Sequence, residues 1–249
     1  MDIILPKPWH KLVEVSQTGS TQADLVGHAQ AGAQSGLVLL AHEQVQGRGR
    51  LERAWESPAG QGLWFSLLLR SPRAVADLGI VPLLTAVAIA QALADEFGLS
   101  ASVKWPNDIL INQKKLSGIL VNHCPPDALI IGVGINTMMS QPPIDMATSL
   151  LLEDAIGSDQ AVPHFFTTVL ASIGSMLSDL AVDQPWPLDV LDPYRRLSST
   201  LGSTVDVTLP SGQVLTGQAV DIEPTGALVV STSAGQRVCV TAGDVVQVR

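Results

Sequence analysis

The sequence predicts an α+β fold in two parts: a mixed β-sheet flanked by helices over residues 1–198, then a small β-barrel over 199–249. Two observations carry this. Up to about residue 198, short apolar runs of strand length are interleaved with longer helical stretches. From Gly202 the texture changes to Val, Thr, Gly and Ser, with short strands separated by the turns PSGQ, PTGA and SAGQ. A chain of 249 residues has room for one large domain, or for a large and a small one, with a real core.

Each element has its own signal. Leu12–Ser16 is a short strand, and Thr21 with Asp24 in capping-box spacing opens a helix over 22–34. Leu37–His42 and Gly62–Arg70 are apolar strands, separated by a polar loop over 43–61 with no apolar period. Ala76–Phe97 is helical, with Gly98 as its stop. Its apolar stretch Ile80–Ala94 is broken by Pro82, Thr85 and Gln91, so it reads as a core helix, too short to span a bilayer. Val103–Trp105, Ile109–Ile111 and Leu116–Val121 are strands joined by tight turns, and Leu129–Ile135 is a further β-run. Pro163–Leu180 and Asp189–Leu197 are helices. The barrel strands are Thr204–Leu209, Val214–Ile222, Ala227–Thr232, Arg237–Val240 and Val245–Val248.

The formal charge is −9, which argues against a binder of long polyanions. Its distribution is uneven. Residues 48–115 hold 8 of the 14 basic residues against six acids, a local +2, whereas 116–249 sum to −9. A cationic segment on an anionic protein fits a small anionic ligand. Two distant cysteines, Cys124 and Cys239, build no disulfide framework. The N-terminus has no apolar signal region, so the cytoplasm is the expected compartment. No HExxH or CxxC is present and the five histidines show no ligand spacing, so no protein-bound metal is expected.

Four segments could carry chemistry. In EQVQGRGRLERAW, Gly47 and Gly49 allow close backbone approach, and Arg48, Arg50 and Arg53 supply three permanent cations suited to phosphate or carboxylate. A solvated basic loop is the plainer alternative. In VKWPNDILINQKKLSGIL, a Pro-Asn-Asp turn joins two strands and Lys115 heads an otherwise apolar strand, so its ammonium should face something polar. Asn107 and Asp108 also read as ordinary turn residues. In GVGIN, Gly132 and Gly134 open a β-run to close approach by another backbone or by a flat ligand. Gly19-Ser20-Thr21-Gln22 is either a plain helix cap or a polar ligand contact at a helix N-terminus.

Together, in order and spacing, these segments resemble the biotin–protein ligase family. The carriers are GST at 19–21, EQVQGRGR at 43–50 with Trp55 and Ser57-Pro58, KWPNDI at 104–109, KLSGIL at 115–120 and GVGIN at 132–136. The resemblance covers nearly the whole chain, and the C-terminal part is similar to the family's SH3-like domain. It implies the class II synthetase-like catalytic fold and a two-step reaction. Biotin attacks the α-phosphate of ATP, with Mg²⁺, to give biotinyl-AMP and pyrophosphate. A lysine of a biotin carboxyl carrier protein of acetyl-CoA carboxylase, or of a related carboxylase, then displaces AMP. It further implies a monofunctional form without an N-terminal DNA-binding domain, no nucleic-acid or membrane partner, and a monomer or homodimer.

The resemblance also implies roles. Lys115, Arg48, Arg50 and Asp108 would be catalytic. Biotin would be held by Ser20, Thr21, Gln22, Gln44, Gly47, Arg48, Gly49, Arg50, Lys115, Gly118 and Gly134. The nucleotide would lie against Arg50, Arg53, Trp55, Lys104, Asn107, Lys115 and Asn136. Gln22 stands where Asn is usual, and Leu51-Glu52 replaces the usual Arg-Gly. The second change removes a cation and a flexible glycine from the lid and adds an anion, so a stiffer, less positive lid with weaker adenylate retention is expected. A lipoate or octanoate ligase, a non-catalytic biotin-binding module and a nucleic-acid binder are the competing readings. GRGR with KWPND counts against the first, intact Lys115, Arg48 and Arg50 against the second. Barrel charge, Arg237 and Arg249 against four acids, counts against the third.

Overall fold

The computed structural model describes residues 4–181, 186–187 and 189–247. Val248, the end of the last expected strand, and Arg249 lie outside the described residues.

The larger sheet has seven strands: β1 (Lys11–Val15), β2 (Leu37–Ala41), β3 (Gly62–Arg70), β4 (Ser102–Lys104), β5 (Asp108–Ile111), β6 (Lys114–Cys124) and β7 (Ala128–Asn136). Their spatial order is β1-β2-β3-β7-β6-β5-β4. Only β1–β2 is parallel, so the sheet is mixed as expected. Among the described residues four α-helices accompany it: α1 (Thr21–Gln30), α2 (Val81–Phe97), α3 (Val162–Met176) and α4 (Asp192–Leu197).

β2 is buried along its whole length, and so is most of β3, because both faces of the sheet are covered. On one face, Leu25 and Ala29 of α1 pack on Leu37, Leu39, Leu68 and Ile130. On the other, α2 and α3 seal a larger core that includes Phe65, Leu67, Ile119, Ile131 and Val133. The stretch Val75–Phe97 is long and apolar enough to cross a bilayer by length and composition, which the shorter run Ile80–Ala94 did not suggest. Two-thirds of its apolar window is buried inside the fold.

Helix ends differ from the sequence reading for local reasons. α1 stops at Gln30 because Gly32 turns the chain at φ 85°. The stretch 76–97 splits into a 3₁₀ turn, Val75–Leu78, and α2, which carries Pro82 in its first turn. Gly98, at φ 65°, ends α2 as expected. α3 ends at Met176, and the remainder to Ala181 tightens into a 3₁₀ turn at Ser178–Ala181.

The C-terminal module holds β8 (Thr204–Thr208), β9 (Val214–Ile222), β10 (Leu228–Ser231), β11 (Arg237–Val240) and β12 (Asp244–Gln247). These form an antiparallel sheet ordered β11-β10-β9-β8-β12. This is the expected small all-β module, and among the described residues no β11–β12 ladder closes its sheet. It is nonetheless strongly curled. Val240 to Asp244 is four Cα steps, at most about 14 Å. Four strand spacings in a flat sheet would need about 19 Å. So the opposite edges must bend toward each other.

A continuous seam joins the two parts. The Trp105 indole N–H donates to the Gly226 carbonyl at 3.1 Å, and Trp105 N–H donates to the Thr200 hydroxyl at 2.9 Å. Arg195 of α4 pairs with Asp221 of β9 at 2.9 Å.

Candidate active site

Side-chain alternation on the sheet creates the site. Ile130 of β7 lies under α1, and Gly132 and Gly134 continue the same face beyond the helix N-terminus. With no side chains there, the face is hollow. A cavity of about 560 Å³ opens over it, within the usual range for small-ligand sites. The four segments singled out in the sequence converge on this one cavity.

One wall is a polar chain anchored at α1. Gln44 accepts from the backbone N–H of Thr21 at 2.9 Å and from its hydroxyl at 3.1 Å, and donates to Ser57 Oγ at 2.8 Å. The Thr21 and Ser66 hydroxyls lie 2.8 Å apart. Ser20 is the N-cap of α1 but makes no side-chain cap bond, so its buried hydroxyl is not spent on the helix. Gln22 reaches past Gly132 and donates to the carbonyls of Ile130 and Leu120 at 2.9 and 3.3 Å, and Ser66 donates to its Oε1. Its amide is therefore committed to the protein's own groups, which is what the extra methylene relative to Asn achieves.

The opposite wall is ionic. β6 carries a bulge: Leu110 pairs with Lys115 but Ile109 pairs with Ser117. The extra residue changes side-chain parity and turns Lys115 onto the face of Gly118. A Cβ on Gly118 would sit 3.4 Å from Lys115 Nζ. Lys115 Nζ lies 2.6 Å from Asp108 and 5.1 Å from the centre of the Trp55 ring. Its backbone is clamped as well: Lys115 N–H donates to Met146 and Thr148 N–H donates to Lys115, at 2.7 and 2.9 Å.

Trp55 lies across the glycine floor. A Cβ on Gly134 would fall 2.4 Å from its Nε1, and that buried indole N–H has no partner among the described residues. Such an orphaned donor facing a cavity fits a ligand acceptor. Asn107 and Asn136 use their amide nitrogens to hold the framework, on the carbonyls of Ile119 (2.8 Å) and Thr148 (2.9 Å). Both also line the cavity, as do Lys104, Arg48, Gly49, Arg50 and Arg53. Gly47 does not line it. A side chain there would meet the Trp55 carbonyl at 2.3 Å, so this glycine permits the loop to close on itself.

Burial pulls the Arg50 pKa below its usual value, opposed by the charges of Asp244 and Asp108 and reinforced by Arg53. The site thus gathers cations in a partly dry cleft next to a hydroxyl-and-amide wall. That arrangement suits a ligand with a neutral polar head and an anionic tail, meeting a second anion.

Residues 14–136 match the biotin/lipoate A/B protein ligase family, and residues 200–247 match the biotin protein ligase C-terminal domain. The biotin–acetyl-CoA-carboxylase ligase of Mycobacterium tuberculosis is 34% identical, across 97% of this chain and 90% of that protein. The chain belongs to the biotin protein ligase family. It is an enzyme of the biotin–acetyl-CoA-carboxylase ligase type. The bifunctional ligase/repressor BirA of Bacillus subtilis is 31% identical across 87% of this chain and 68% of that protein. The biotin protein ligase of Aquifex aeolicus, solved in complex with biotin and ATP, superposes with a TM-score of 0.79. That comparison covers 97% of this chain and all of that one, at 27% identity.

Several lining residues of this biotin ligase escaped the sequence reading. Ser66 left a usable signal, a lone hydroxyl in the apolar run GLWFSLLLR. Ile144, Ala147, Asp244 and Val245 left none, because they arrive from an irregular segment and from the module.

Proposed function

We propose that the chain activates biotin as biotinyl-AMP and then transfers it to a lysine of a carboxylase carrier domain. One observation carries the reading: Lys115, held against Asp108 and Trp55 over a glycine floor, meets the Arg50 loop and the Thr21–Gln44 wall in one cavity. In the first step biotin's carboxylate oxygen attacks the ATP α-phosphorus and pyrophosphate leaves. Two anions must approach, so the cations of Lys115, Arg48 and Arg50 supply the main stabilisation. Ser20, Thr21 and Gln44 hold the ureido end, with Gln22 setting the end wall. Trp55, Lys104, Asn107 and Asn136 lie on the nucleotide side.

Among the described residues no cluster of three or more His, Cys, Asp or Glu side chains forms a cation cage. Mg²⁺ would enter with ATP, held through its phosphates. In the second step a lysine amine displaces AMP. Only about one free lysine in a thousand is neutral at pH 7. Asp108, once Lys115 turns to phosphate, is placed to receive the incoming ammonium and its proton. The catalytic unit spans 1–198 and the module 199–249.

The test is biotin-dependent exchange of pyrophosphate into ATP, followed by transfer to a carrier domain read with avidin. Wild type should be active with biotin and silent with lipoate. Lys115→Ala should lower exchange at least about 100-fold, since it removes a charge contact made to both reacting anions. Exchange driven by lipoate, or undiminished in Lys115→Ala, would overturn the reading.

A further inference from the structure

The tip of the Gly-Arg loop is tied to the C-terminal module. Arg53 forms an ion pair with Asp244, the first residue of β12. Arg50 Nη1 lies 3.7 Å from the same carboxylate, and Arg50 Nη2 donates to the Gly243 carbonyl at 3.1 Å. Asp244 itself lines the cavity. One carboxylate from a remote domain thus gathers two of the loop's three arginines at the edge of the site.

The loop alone is a small hairpin. Gly49 N–H donates to the Arg53 carbonyl at 2.7 Å and Arg53 N–H to the Arg50 carbonyl at 3.1 Å. Its tip places Leu51 at φ 52°, a left-handed conformation that a leucine disfavours. Such backbone persists where the surroundings impose it, and the hairpin's own bonds and the two arginine ties to Gly243 and Asp244 bracket Leu51 on both sides. Asp244 also offsets the repulsion between two nearby guanidiniums. Its side chain is 25% exposed and that of Arg53 67%, so the tie sits at the mouth of the cavity, where salt weakens it.

We propose that Asp244 is a positioning residue for the ligase reaction: it latches the Arg50–Arg53 tip over the cavity and slows escape of biotinyl-AMP. The latch rests on the adenylate reading above. It acts through the arginines and not on the reacting atoms.

The experiment uses the full-length protein loaded with biotin and MgATP, and follows release of biotinyl-AMP in a chase. Asp244→Asn keeps the shape and removes the charge, and Asp244→Ala is a second variant. Both should release adenylate at least about threefold faster, within the range of coupling through a shared ion pair. Asp244→Glu should restore most of the retention, and KM for ATP should rise more than kcat falls. The double variant Asp244→Asn/Arg53→Ala should be no faster than the faster single one. Asp206→Ala, which removes a module carboxylate and the acceptor of the Thr216 hydroxyl, serves as the control and should release at the wild-type rate. Unchanged release in both Asp244 variants overturns the latch. Slower release overturns it too, and would mark Asp244 as a competitor of phosphate for the arginines. If wild type forms no biotinyl-AMP at all, the adenylate reading itself falls, whatever Asp244 does.

Discussion

At the scale of single residues, the site is defined as much by missing side chains as by present ones. Gly118 and Gly134 face Trp55 closely enough that a methyl group on Gly134 would overlap the indole at 2.4 Å. The ring lines the cavity, with Lys115 Nζ 5.1 Å from its centre, so to make room it must shift within the ligand space. Gly134→Ala should therefore cost little stability, under about 2 kcal/mol, and much activity. We expect biotin-dependent exchange to fall about tenfold or more, since one 1.36 kcal/mol loss in the transition state is a factor of ten. Undiminished exchange would contradict the placement of Trp55. Lys115 shows how far such residue-level reading reaches. Its place at the head of an apolar strand signalled a polar partner. The bulge that aims it and the clamp at Met146 and Thr148 left no trace, because both depend on strand register and on a segment about 30 residues away.

At the scale of elements, strands and motifs were legible where the signal is local. Gly62–Arg70, Val214–Ile222 and Arg237–Val240 read directly from their apolar runs and bounding turns. Helix ends were misjudged where a 3₁₀ turn continues the helical period without an α-helix's hydrogen bonds, as at Val75–Leu78 and Ser178–Ala181. The five-stranded module was legible too, but short strands with glycine turns specify curvature and not which edges pair. Element junctions also carry titratable ties. Arg195 of α4 bonds Asp221 of β9 at 2.9 Å and donates to the Ile222 carbonyl at 3.2 Å. Partial burial pushes the Asp221 pKa up, but the Arg195 and Ile222 hydrogen bonds outweigh it, and the net shift is downward. The folded state therefore binds fewer protons than the unfolded one. The pair's contribution is complete above the unfolded value near pH 4 and is lost as pH falls through the lower folded value. Asp221→Asn should unfold at a lower temperature than wild type at pH 7, by less than about 1 kcal/mol for so exposed a pair. The difference should shrink as pH falls below the ordinary carboxylate range and through that lower folded value. A gap that persists in acid would exclude charge as its cause.

At the scale of the molecule, the two sheets share one apolar core. Leu67, Val103 and Trp105 of the catalytic part belong to the same buried cluster as Val205, Ala219, Leu228 and Val245 of the module. The uneven charge has a matching logic: a cationic loop at 48–53 in one part is held by an acid of the other. Module and catalytic part should therefore unfold together, unlike domains joined by a polar interface that come apart separately. The seam offers a place to test this. Gly226 sits at φ 84°, where only glycine is at ease, and a Cβ there would lie 2.3 Å from the Gly79 carbonyl at the approach to α2. Relief would require one of the two backbones to shift, and Gly226 is also held by the Trp105 indole N–H. Gly226→Ala should destabilise by about 2–4 kcal/mol, from strained φ plus steric overlap. Calorimetry should show a single transition for wild type and one lowered transition for the variant, with biotin-dependent exchange lost in parallel. A variant that shows two transitions, with only the smaller one lowered, would mean that the module folds on its own and that the seam is a docking contact rather than a shared core.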